Sequence, residues 1–101
     1  MAQEYIKASD LTVTDVIDYL HITELDISQE SLLNTILESA RNYAVSSTGQ
    51  ELTELDNYPD ITLAILAICQ DLYDNRSIYV DKNNLNDTIT TILGFYRVNL
   101  L

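Results

Sequence analysis

The sequence predicts an all-α fold: a small bundle of about four helices around a central hydrophobic helix at about 58–76, with a long loop before the last helix. Two observations carry this. From Ile61 to Cys69 only Thr62 is polar; Ile61, Ala64, Ile65, Ile68 and Leu72 recur at helical spacing, while Leu63, Leu66 and Ala67 fill much of the opposite side. A helix apolar nearly all round is a buried helix, and this run is far shorter than the roughly 20 residues a bilayer requires. A buried strand at 61–69 is the competing reading. The polar continuation from Gln70 to Arg76 keeps a helical stripe and argues against it. The second observation is that the other apolar stretches share the helical period, and only Ile78-Tyr79-Val80 has the chemistry of a strand.

Residues 1–10 read as a polar N-terminal arm, loose or folded onto a partner. A single helical domain occupies 11–101. Its first helix starts near Thr12 or Thr14, with Val13, Val16, Ile17 and Leu20 as the buried stripe. Asp15 and Asp18 sit in the early turns, where negative charge suits the helix dipole. His21 follows at the C-terminal end, with no second His or Cys nearby to form a metal site. Asp26 or Ser28 caps a second helix with the stripe Leu33, Ile36, Leu37, Ala40 and Ala44, edged by Leu32 and Tyr43. Asn34, Glu38, Arg41 and Asn42 occupy its opposite face. Ser46-Ser47-Thr48-Gly49 ends it, Gly49 serving a left-handed cap.

Residues 50–57 read as an acidic loop. Asn57 is a candidate cap for the central helix, and Pro59 suits its first position, where a missing N–H costs nothing. The segment after Arg76 contains the strand-like Ile78-Tyr79-Val80, which must find a partner in this chain or another. The last helix starts near Asn86 or Asp87, with Leu85, Ile89, Ile92, Leu93 and Tyr96 at helical spacing and Gly94 weakening or ending it. Val98, Leu100 and Leu101 then form an apolar tail that asks for packing or a subunit contact.

A chain of 101 residues forms one domain, and 47% hydrophobic residues with two Gly and one Pro mark it as globular. Sixteen acids against five bases give a net charge of −11. That sign opposes a nucleic-acid-binding surface, whose phosphate contacts need Lys and Arg, and opposes docking on anionic lipid. Between Ala8 and Ala40 stand seven acids and no base. The single Cys69 forbids an internal disulfide and reads as a small buried hydrophobe. The N-terminus has no signal-peptide pattern, so the protein is expected in a cytoplasm, where the sequons at Asn75 and Asn86 carry no meaning.

Catalytic chemistry is not expected. His21 has no nucleophile motif around it, and two glycines do not make a phosphate loop. Asp81–Asn86 is only faintly a calcium loop: Leu85, Asn86 and Ile92 stand where a third ligand, the turn glycine and the closing glutamate belong. Pairs such as Asp71 and Asp74 read as solvated surface. No cofactor and no enzyme activity are expected, which leaves binding or assembly.

From about Leu11 to Val98 the chain resembles the small head–tail connector (adaptor) proteins of tailed bacteriophages, also known as phage DNA-packaging proteins. The opening helix with Tyr19-Leu20 at its end is similar to the family's first helix. Ala40, Tyr43, Ala44, Thr48 and Gly49 match its helix running into a Thr-Gly turn. Leu72-Tyr73-Asp74-Asn75-Arg76 resembles its Leu-Tyr-x-Asn-Arg, and Tyr96-Arg97-Val98 its terminal Tyr-Arg. Family members commonly start the last helix with a proline; here the run is Leu85-Asn86-Asp87.

The resemblance implies a structural subunit of a homo-oligomeric ring of about twelve copies, closed by head-to-tail contacts. Such a ring docks below the portal protein in the virion neck, having assembled in the host cytoplasm. It extends the DNA channel and offers a surface to a neck or tail-completion protein. DNA passes without sequence-specific binding, and no membrane is involved. An acidic channel wall would repel phosphate. Candidate subunit or portal interface residues are Arg76, Ile78, Tyr79, Val80, Tyr96, Arg97, Leu100 and Leu101. Arg76 is the most pointed of these: it either favours a helix C-terminus beside Asp74 or ties the following loop down through an ion pair. The alternative from another class is a small acidic DNA mimic that inhibits a host nucleic-acid enzyme.

Overall fold

Thr12 opens the first helix by a reciprocal exchange: its hydroxyl accepts the Asp15 N–H at 3.3 Å, and its own N–H donates to the Asp15 carboxylate at 2.9 Å. That helix, α1, is Val13–Leu20 and stops at His21, whose φ of 58° is left-handed. The computed structural model describes residues 6–22, 27–75 and 86–97. Before α1 lies a 3-10 turn, Ala8–Asp10; after it come α2 (Ile27–Thr48), α3 (Leu52–Leu55), α4 (Pro59–Asp74) and α5 (Asp87–Phe95). The described residues contain no strand, and the fold is all-α.

Helix α2 ends as its sequence predicts. The Thr48 hydroxyl turns back to donate to the Ala44 carbonyl at 2.7 Å, and Gly49 takes a φ of 74°, where a Cβ would be strained. Helix α3 is a departure. Residues 50–57 read as a loop, yet the Glu51 N–H donates to the Glu54 carboxylate at 2.9 Å and closes one helical turn. That turn buries Leu55 completely. Pro59 takes the first position of α4 as expected, but the residue before the helix is Tyr58, not Asn57. Asn86 caps α5 by accepting the Thr88 N–H at 2.7 Å.

The core lies mainly between α2 and α4. Leu33, Ile36, Leu37, Ala40 and Ala44 are buried on α2, facing Ile61, Ala64, Ile65, Ile68, Cys69 and Leu72 on α4. Ile89 and Leu93 of α5 pack on α4 from another side, and Val16 of α1 completes the cluster. Residues 6–10 of the expected polar arm are held down: Ala8 is fully buried, and Ser9 donates its N–H and hydroxyl to Asp56 at 2.9 and 2.6 Å.

Two faces differ from their sequence reading. Arg41, placed on the polar face of α2, has a side chain only 12% exposed. Leu63, counted into a helix buried nearly all round, is 50% exposed, because no described element covers the outer face of α4 there. The strand-like segment, the long loop and the apolar tail lie outside the described residues.

Candidate docking surface

The exposed large hydrophobic residues among those described are Ile6, Leu63 and Phe95. Each is in the first turns of α4, or is bonded to them, or adjoins in sequence a residue that is. Leu63 belongs to that stretch. Ile6 is fastened to it, its carbonyl accepting the Thr62 hydroxyl at 2.6 Å. Phe95 precedes Tyr96, whose hydroxyl donates to both carboxylate oxygens of Asp60 at 2.7 and 2.8 Å.

Tyr96 is held from three directions. Its ring stacks on Tyr58, centroids 4.2 Å apart and planes inclined by 21°. Gln50 donates its side-chain N–H to the Tyr96 carbonyl. The carboxylate of Asp60 wants the phenol protonated, and this bond, with burial and the Asp60 and Tyr58 charges behind it, pushes the Tyr96 hydroxyl up to about 12.

The same contacts fix the direction of α5. Its C-terminal end lies at Asp60, while Asn86, Thr88 and Ile89 at its other end share a cavity wall with Asp71 and Asp74. The two helices therefore run antiparallel. Between them, on the outer face of α4, is a groove of about 430 Å3. Leu63 and Ala67 give it one apolar end, Ile89 and Tyr19 contribute further walls, and Asp71 and Asp74 make the other end acidic. Asp71 also receives the Asn75 side-chain amide on its backbone carbonyl at 2.9 Å.

Behind this surface, Arg41 locks the N-terminal segment to α2. Its Nε donates to the Ala8 carbonyl at 3.1 Å, one terminal nitrogen donates to the Leu11 carbonyl, and the other meets Glu38 at 2.8 Å. Cys69 lies in the core beneath. Burial pushes its thiol up to about 12, against a smaller opposing pull from Arg41.

Of the interface residues expected from the sequence, two lie among the described ones. Tyr96 spends its hydroxyl inside its own chain, whereas Arg97 is exposed next to it. Arg76, Ile78, Tyr79, Val80, Leu100 and Leu101 lie outside the described residues. Sequence reasoning missed Asp60, Leu63 and the inward role of Arg41. Arg41 carried one usable signal: it is the first base after Lys7, flanked by the small core residues Ala40 and Ala44. Asp60 carried none, since its partner is 36 positions away.

Among the described residues no group of three His, Cys, Asp or Glu side chains is placed to hold a metal ion, and no helix is long and apolar enough to cross a membrane. No protein-family model matches the chain, and no curated protein or solved structure matches it.

Proposed function

We propose that this chain is a structural subunit of a phage head–tail connector ring, docking below the portal, extending the DNA channel and presenting a surface to neck or tail proteins. The observation that carries the reading is the order and spacing of the short strings between Leu11 and Val98 that resemble that family. Where they lie supports it. Thr48-Gly49 closes α2, Leu72 to Asn75 closes α4, and Tyr96 follows α5. The described parts of these strings all fall at helix ends.

The test is co-sedimentation of the purified chain with portal rings of the same virus. Saturable binding at a fixed ratio to portal subunits is the expected result; no binding at any concentration overturns the reading. The net charge of −11 favours one second reading, a DNA mimic. Inhibition of a restriction enzyme or nuclease, without portal binding, would select it.

A channel role makes a further demand on the acids. Asp10, Asp18 and Glu30 are exposed in the stretch that lacks bases. With all three changed to Lys, phosphates should be retained at the wall and DNA ejection from virions should slow. An unchanged ejection rate removes these acids from the channel.

A further inference from the structure

We propose that the α4–α5 groove receives the Phe95–Arg97 corner of a second copy of this chain, so that successive copies join head to tail. This contact gives the ring reading above its surface, and rests on that reading only for the closure into a ring.

Three observations lead to it. First, the central helix shows an apolar face to solvent: Leu63 is 50% exposed and lines a groove with Ala67 and Ile89. Second, Phe95 is 74% exposed at the end of α5. It stands two helical turns beyond Thr88 and so shares its face of α5. Gly94 beside it is exposed, and a Cβ built there meets no atom within 4 Å, which leaves this corner bare for close approach.

Third, the charges are laid out with a direction. Sixteen acids make copies repel in general, so a contact between copies needs a place where opposite charges can meet. The described bases are Lys7, Arg41 and Arg97, and Arg41 is turned inward. Lys7 and Arg97 are both exposed, and Arg97 follows Tyr96, whose hydroxyl is held by Asp60 at the start of α4. Asp71 and Asp74 stand at the opposite end, about 12 and about 16 Å along α4 from Leu63 at the rise of a helix. A chain cannot bring its own Arg97 to its own Asp74, because α5 runs antiparallel to α4. A second copy can. Its Phe95 lies over Leu63 and Ala67, and its Arg97 reaches Asp74. The donating corner and the acids it meets lie at opposite ends of the α4–α5 pair, so one end of a copy engages the other end of the next, as head-to-tail assembly requires.

Sedimentation velocity of the full chain over rising concentration, at physiological ionic strength, tests this. Wild type is expected to self-associate. Phe95→Ala should weaken association about tenfold or more, as the loss of an aromatic anchor does. Arg97→Glu and Asp74→Arg should each weaken it, and the two together in one chain should restore it. All these side chains are exposed, so circular dichroism and melting should match wild type. Wild type that stays monomeric throughout, Phe95→Ala that associates normally, or a charge swap that restores nothing overturns the contact. The connector reading is read separately: a chain that associates in this way and ignores portal keeps the contact and loses that reading. A chain that binds portal while Phe95→Ala changes nothing does the reverse.

Discussion

Arg41 shows how one side chain can tie the N-terminal segment to α2. Its guanidinium is nearly buried and spends its donors on the Ala8 and Leu11 carbonyls and on Glu38. Arg41→Ala should destabilise the fold by about 2–4 kcal/mol in urea titration, because two carbonyls under the N-terminal segment lose a charged donor. Arg41→Lys should recover less than half of this, since one ammonium does not reproduce the planar fork. Glu38→Ala should cost under about 0.5 kcal/mol, for its side chain is 65% exposed and the pair is screened. Cys69 and Tyr96 make a pH prediction. Both hold their protons more tightly folded than unfolded, with values raised from 9.0 and 10.0 to about 12. Their contribution is therefore complete below the unfolded values and is lost as pH rises through the folded ones. From these two groups, stability should be flat through neutral pH and fall between about 9 and 12, as a melting series would record. Cys69 should also resist a thiol reagent in the native state and react only as fast as the chain opens.

Helix α5 is short, and two kinds of contact hold it: Ile89 and Leu93 against α4, and the Tyr96 clamp at its end. Tyr96→Phe keeps the stack on Tyr58 but leaves Asp60 without its phenol, and should cost about 1 kcal/mol in thermal or urea unfolding. Gly94→Ala should stabilise the isolated chain by up to about 1 kcal/mol, since a Cβ there meets nothing and glycine is a poor helix former. How legible each helix was follows from where its information lies. The stripe of α2 was readable because its buried residues, Leu33 to Ala44, repeat with the helical period. Helix α3 was hidden because its single turn is closed by two glutamates in a run that looks only acidic. The outer face of α4 was misjudged because periodicity says that a residue is apolar, and not which neighbour covers it. Leu63 is as apolar as Ile65, yet only Ile65 is buried.

Across the whole molecule, the contacts that shape the candidate surface join distant positions. Thr62 meets Ile6 across 56 residues, and Tyr96 meets Asp60 across 36. No local pattern announces such pairs, which is why the all-α fold and most of the core could be read in advance while the docking surface could not. The resemblance to connectors drew attention to Tyr96 and Arg97 without separating their roles: one anchors α5 and the other is left to solvent. These two pairings also have a mechanical consequence. A pull applied at residues 6 and 97 first meets the opening turns of α4, through the Thr62 and Asp60 clasps. Most of that tension crosses a single helical turn, with Gln50 sharing the load at Tyr96. The molecule would bear load as a link held by its clasp: the clasps yield at low force, and the core stays intact until they have opened.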